Sequence, residues 1–202
     1  MASCIHFIRH GLTEGVVNKW YYGWKDLPLI EEGVKAIEEL KKQGIYPTAE
    51  NANFFTSGMK RANQTLDVIF GNKPYKAIEN LKEMNFGHWE CKTFDELKTL
   101  DGFDEWMSDK TGTFAFPGGE SAMSFYERTK KGFDELLLHH QAKGQEIESP
   151  ESVTVCHGGV IAASMCALLD KPQDTFWEWI PAPGRGYTIY FDGTKAIGYE
   201  KI

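Results

Sequence analysis

Two histidines and two arginines carry the chemistry that can be read from this chain. The run Ile5, Phe7 and Ile8 is short, apolar and β-prone, and it stops on Arg9, His10 and Gly11. Such a run reads as a buried strand, so a guanidinium and an imidazole stand at a strand-to-loop corner where glycine eases the turn. A second strand-like run, residues 152–156, ends in the same manner on His157, Gly158 and Gly159. If the two strands are parallel neighbours, their imidazoles face each other across one crevice, outside the carboxyl ends of the strands where α/β sheets bind ligands. Between them in sequence, Asn53–Thr56 reads as a further buried strand. It is followed by Ser57 as an N-cap and a helix over 59–70, with Arg61 on its first turn. Two guanidiniums, two imidazoles and a helix N-terminus with free N–H groups suit a tetrahedral dianion, whose oxygens arginine reads bidentately.

The elements that must position these groups alternate. After a loop rich in aromatics (Trp20, Tyr21, Tyr22, Trp24) comes a helix over 30–42, with Val34, Ile37 and Leu40 on one face and Gly44 as its stop. Residues 75–78 read as a short strand, 120–143 as the longest helix and 160–169 as another. Residues 187–191 and 195–202 flank Asp192-Gly193, a hairpin signal. Strands alternating with helices predict an α/β three-layer sandwich: a mostly parallel central sheet, helices on both faces and an antiparallel edge hairpin. Residues 81–119 are irregular and glycine-rich, with helical pieces near 94–100 and 103–107. They read as an insertion capping the active site within a single domain over 1–202.

At 202 residues, 42% hydrophobic and 25% charged, the chain has an ordinary globular composition. No apolar run approaches the roughly 18 residues of a membrane span. The N-terminus lacks a basic stretch followed by an apolar one, so neither a secretory signal nor a membrane partner is expected. A net charge of −7 argues against a nucleic-acid binder, but a local arginine cluster can still hold a small anion. Cys4, Cys91, Cys156 and Cys166 show no paired or metal-type spacing and read as reduced thiols in the cytoplasm. His6 has the spacing of a strand core position relative to His10, not that of a metal pair, and His139-His140 read as a solvated helix end. Cys156-His157-Gly158-Gly159 is not a cysteine-phosphatase loop, because residues 160–163 supply no arginine to close it.

The ordered set of motifs resembles the histidine phosphatase superfamily, which includes cofactor-dependent phosphoglycerate mutase. The set begins with Arg9-His10-Gly11-x-Thr13, Tyr22-Gly23-Trp24 and Thr56-Ser57-x-x-x-Arg61-Ala62-x-Gln64-Thr65. It continues with Glu83-x-x-Phe86-Gly87-x-Trp89-Glu90, Pro117-Gly118-Gly119-Glu120-Ser121 and Val155-x-His157-Gly158-Gly159. The resemblance implies that His10 is the nucleophile taking the phosphoryl group and that Arg9, Arg61 and His157 hold its oxygens. It also implies Glu83 as proton donor to the leaving oxygen, although Glu79 and Glu90 lie nearby. Gly158 offers a backbone N–H, and Thr13, Tyr22 and Gly23 belong to the substrate-binding set. The chemistry agrees: a neutral imidazole is a competent nucleophile near neutral pH, and fixed cations supply what phosphoryl transfer needs without a metal or cofactor.

Family members commonly place an asparagine on phosphate shortly after Arg-His-Gly. Here Val16 holds that position and Asn18 lies two residues later, so either Asn18 substitutes or one contact is missing. The segment around Phe86–Glu90 looks like the phosphatase branches, and residues 81–119 offer lysines but no arginine for a mutase's second acidic group. The expectation is a phosphatase acting on a small-molecule phosphate ester. A mutase-type phosphotransferase and a phospho-ligand-binding protein with little turnover are the alternatives. Arg185 could reach the pocket mouth.

Overall fold

The computed structural model describes residues 3–144 and 149–202. The chain forms β1 (Ser3–Arg9), α1 (Glu14–Val17), β2 (Trp20–Tyr21), α2 (Glu31–Lys42), β3 (Asn53–Thr56) and α3 (Lys60–Phe70). Next come β4 (Lys76–Ala77), β5 (Lys92–Thr93), α4 (Phe94–Leu97), α5 (Phe103–Ser108) and α6 (Ala122–Gly144). The chain closes with β6 (Glu151–Cys156), α7 (Gly158–Leu168), β7 (Gly186–Asp192) and β8 (Lys195–Lys201).

The main sheet has the order β4-β3-β6-β1-β7-β8. β4, β3, β6 and β1 run parallel, while β7 and β8 are antiparallel to their neighbours. Alternation along each strand sends neighbouring side chains to opposite faces. Ile5, Phe7 and Phe55 pack with Phe133, Leu136 and Val160 of α6 and α7. Ile8, Phe54, Val153 and Val155 pack instead with Ile37 and Leu66 of α2 and α3. The expected layered sheet, mostly parallel with an antiparallel edge, is the observed one. Strands β2 and β5 form a small separate antiparallel sheet.

Several boundaries moved for local reasons. The N-cap of α3 is Met59 rather than Ser57, because Gly58 at φ +82° inserts a turn before the helix. Helix α7 starts at Gly158, not near Val160, since both glycines are helical and His157 takes the cap position. Helix α6 starts at Ala122, where the Ser121 hydroxyl accepts from the Ser124 N–H. His140 is not a solvated helix end. It is 1% exposed, its Nδ1 lies 2.9 Å from the Ser152 hydroxyl, and burial lowers its pKa to about 4. A helix residue this near the C-terminus can still face the sheet, and the 3.6-residue period decides which of two adjacent histidines does. Residues 81–119 hold their own aromatic cluster around Trp89, Leu97 and Phe116, and Tyr21 packs against it. No helix among the described residues is long and apolar enough to cross a membrane. All four cysteines are free thiols, with Cys156 and Cys166 buried.

Candidate active site

Register brings the two histidines together. Arg9 pairs with Cys156 across the parallel β1–β6 ladder, and the His10 N–H donates to the Cys156 carbonyl at 3.0 Å. The residues that leave the two strands are therefore level, on strands about 4.8 Å apart. The imidazoles of His10 and His157 lie 5.3 Å apart between centroids, at 61°.

Their hydrogen bonds decide where the protons sit. His10 Nδ1 lies 2.8 Å from the Gly11 carbonyl, which can only accept, so Nδ1 carries the hydrogen and Nε2 keeps its lone pair. Arg61 Nε donates to His157 Nδ1 at 3.3 Å, so that nitrogen is unprotonated and Nε2 donates to the Ser57 hydroxyl at 2.8 Å. Burial, then Arg61 and then Arg9 hold the His10 imidazole well below its ordinary value near 6.5. Burial comes first for His157 as well, followed by Arg61, His10 and Arg9. Both are therefore neutral near pH 7.

The arginines are held from behind. Arg61 is fully buried, with its other nitrogens donating to the Lys25 and Gly23 carbonyls at 3.1 and 2.7 Å. Its guanidinium lies 5.0 Å from the centre of the Tyr22 ring, a cation–π contact. Arg9 Nη1 donates to the Pro181 carbonyl at 2.7 Å, while its buried Nε–H has no partner among the described residues. A buried N–H of a cation left in that state is costly unless an anion meets it.

Of the three candidate glutamates, only Glu83 reaches this place. Its carboxylate accepts from the N–H groups of Gly159 at 2.9 Å and Met84 at 3.0 Å, so it sits on the first turn of α7 beside His157. A Cβ at Gly159 would come within 2.4 Å of the Glu83 carboxylate, so a larger residue there would push that carboxylate off the Gly159 N–H. Glu79 is exposed and pairs with Lys82. Glu90 is spent on the backbone, accepting from the N–H groups of Gly23, Trp24, Lys25 and Phe86.

His10, Arg9, Glu83 and Gly159 open onto a cavity of about 530 Å³. Aromatics are prominent in its lining, which includes Trp20, Tyr21, Phe86, Trp106, Phe125 and Trp177, and Lys110 and Asp109 also border it. Tyr22 lines the cavity, but Thr13 and Gly23 sit behind its wall. The Thr13 hydroxyl lies 2.6 Å from the Tyr22 hydroxyl and caps α1, and the Gly23 carbonyl anchors Arg61. Gly158 is buried against Arg9, whose Nε would be 3.2 Å from a Cβ there. Neither Val16 nor Asn18 lines the cavity, and Asn18 is the exposed C-cap of α1. Arg185 does not reach the mouth either. It lines a separate hollow with Glu178 and Pro181, and only its carbonyl touches the site, by accepting the Arg9 N–H.

Some positioning residues escaped the sequence reading. Ser57 holds His157. Arg128 donates to the carbonyls of Asn80, Lys82 and Glu83 and pairs with Glu120 at 2.6 Å, clamping the turn that presents Glu83. Glu90 and Glu120 lay inside quoted motifs. Arg128 had no local signal, being one charge on a long amphipathic helix.

A family profile described as the histidine phosphatase superfamily (branch 1) matches residues 5–197. The chain belongs to the histidine phosphatase superfamily. It is a phosphatase- or mutase-like enzyme. Curated relatives of this superfamily member carry both kinds of name. Adenosylcobalamin/alpha-ribazole phosphatase of Escherichia coli is 25% identical over 182 residues, covering 85% of this chain and 82% of the relative. A 2,3-bisphosphoglycerate-dependent phosphoglycerate mutase of Xanthobacter autotrophicus is 26% identical over 170 residues, covering 80% and 78%. The fold is that of a crystal structure of a putative alpha-ribazole-5′-P phosphatase from Escherichia coli K-12. The TM-score is 0.81 at 22% identity, over 98% of this chain and 94% of that one.

The neutral buried histidines have a consequence for stability. In the unfolded chain each imidazole binds a proton near pH 6.5; in the fold His10 and His157 do not until well below that. Between those limits the unfolded state carries more protons, so stability falls as pH falls, by about 1.4 kcal/mol per pH unit for each such group. His140 adds the same sign between about 6.5 and about 4. The melting temperature should drop steadily below pH 6.5, and His10→Gln should flatten that slope by about one proton; a slope unchanged in the variant would mean that His10 is not held neutral.

Proposed function

We propose that this protein is a phosphomonoester phosphatase that works without a metal through a phosphohistidine on His10. The observation that supports this most is the free lone pair on His10 Nε2, under the positive field of Arg61 and Arg9, in a residue that borders the same cavity as Glu83. The nitrogen attacks phosphorus in line, the P–O bond to the leaving group breaks, and protonated Glu83 gives its proton to the departing oxygen. Arg9 and Arg61 hold the other phosphate oxygens, and His157 joins them by turning its Nε2–H from the Ser57 hydroxyl to an oxygen; the positive charge counters what builds up in transfer. Water then gives its proton to Glu83 and attacks phosphorus. The P–N bond breaks, inorganic phosphate leaves and both side chains are restored.

Hydrolysis is favoured over mutase transfer by the cavity beyond the phosphate. Its walls are largely aromatic, with Lys110 as the cation available to a second acidic group. A ring-bearing alcohol such as a nucleoside or an aryl group fits that lining better than a phosphorylated acid. The test is a panel of phosphomonoesters assayed for phosphate release with excess chelator. Aromatic esters should exceed phosphorylated acids in kcat/KM by on the order of tenfold or more. Transfer that depends on a bisphosphate primer would make it a mutase. Tight vanadate binding with no turnover on any ester would make it a binding protein.

A further inference from the structure

The starts of β1 and β6, at the opposite end of the strands from the histidine pair, carry a second group of side chains. Cys4 and Glu151 are paired across the parallel ladder, and His6 is two residues from Cys4 on the same face. His6 pairs with Thr188 across the antiparallel ladder to β7. Pairing across both ladders thus puts a thiol, an imidazole and a carboxylate on one face of one sheet, with His6 about 13 Å and Cys4 about 20 Å along β1 from His10. Their ligand atoms all lie within 4.8 Å of one another.

We propose that Cys4, His6 and Glu151 form a binding site for a divalent, thiolate-accepting cation of the zinc class, separate from the catalytic pocket. His6 Nε2 lies 3.5 Å from Cys4 Sγ and 2.9 Å from Glu151 Oε1. Tetrahedral zinc, with bonds of about 2.3 Å to sulfur and about 2.0 Å to nitrogen, holds those two atoms about 3.6 Å apart, so the sulfur–nitrogen edge is already at length. The nitrogen–oxygen edge has to open by a few tenths of an ångström, which a glutamate on a strand end can give. The other ring nitrogen, Nδ1, is fixed by the Thr188 hydroxyl at 2.8 Å. Metal-bound imidazoles are typically oriented through their second nitrogen in this way. One thiolate and one carboxylate balance the charge of a divalent ion, the thiol proton leaves to solvent, and water completes the tetrahedron. The mixed sulfur, nitrogen and oxygen set suits zinc or cobalt better than magnesium or calcium. A bound ion would staple β1 to β6 and steady the two strands whose far ends align His10 and His157.

The test is titration of cobalt(II) into the reduced, chelator-treated full chain. One equivalent should bind, with the intense visible absorption of four-coordinate cobalt and a sulfur-to-cobalt charge-transfer band in the near ultraviolet. Cys4→Ser should abolish that band, and Cys4→Ser and Glu151→Gln should each weaken binding at least tenfold, whereas His139→Ala should change nothing. Zinc should raise the melting temperature of the wild type and not that of Cys4→Ser. Phosphate-ester hydrolysis at the wild-type rate in Cys4→Ser shows that the variant is folded and keeps this site apart from catalysis. Absence of stoichiometric uptake by the wild type would overturn the proposal. So would binding unchanged in both Cys4→Ser and Glu151→Gln, or a charge-transfer band lost only on replacing Cys91.

Discussion

Replacing His10 with alanine should lower phosphate-ester hydrolysis by roughly 10⁴-fold or more while leaving the protein folded. The expected size follows from what is removed. Among the described residues lining the pocket, nothing else offers an unprotonated nitrogen with a free lone pair. His157 Nδ1 accepts from Arg61, its Nε2 is engaged with Ser57, and both guanidiniums are permanent acids. A direct attack by water would keep the help of the cations and Glu83 but would lose the covalent step. The structural cost is small by comparison, since one bond to the Gly11 carbonyl is lost, worth about 1 kcal/mol. Circular dichroism and melting should therefore show a folded variant. Base-quenched wild type should carry a phosphate that is stable in base and labile in acid, as expected of a P–N bond, and the variant should carry none. Hydrolysis at the wild-type rate in His10→Ala would remove the phosphohistidine from the mechanism.

Glu83→Gln should slow esters of poor leaving groups by on the order of 10²- to 10⁴-fold in kcat/KM and esters of good leaving groups far less. An alkoxide of high pKa needs a proton as the P–O bond breaks; a nitrophenolate does not. The ratio kcat/KM covers the steps up to transfer onto His10, so it isolates the acid role. The base role appears in kcat: with a good leaving group the variant should show a burst and then stall as phosphoenzyme, because glutamine cannot take the proton of the attacking water. Glutamine keeps the shape but can accept only one of the two N–H bonds from Gly159 and Met84, which costs about 1 kcal/mol of stability. An equal loss in kcat/KM for both classes of ester would point to that lost positioning instead of proton transfer.

Much of the framework was legible because it rests on local signals. The period-2 and 3.6-residue patterns, the glycine stops and the Asp192-Gly193 turn marked the strands of the main sheet and the longer helices within a few residues, whereas the one-turn α1 and the two-residue strands β2 and β5 are too short to carry a period. Misses came where a side chain's partner lies far away in sequence. Ser57 looks like a cap until His157, a hundred residues on, is placed against it. His140 looks solvated until β6 and β7 are packed beneath it. Residue type does not separate Glu83 from Glu79 and Glu90; the family resemblance named Glu83, and the approach of α7 sets its carboxylate on the Gly159 N–H.

The sequence alone determined the main strands and the longer helices, the residue types available for phosphate chemistry and the family to which their order belongs. Those are properties of composition and spacing along one chain. Tertiary structure decided which nitrogen of His10 is free, which glutamate meets α7, how aromatic the cavity is, and that Cys4, His6 and Glu151 share a face. Each of these depends on strand register and on which face of a helix is turned inward. Both are settled by packing between segments that are remote in the chain.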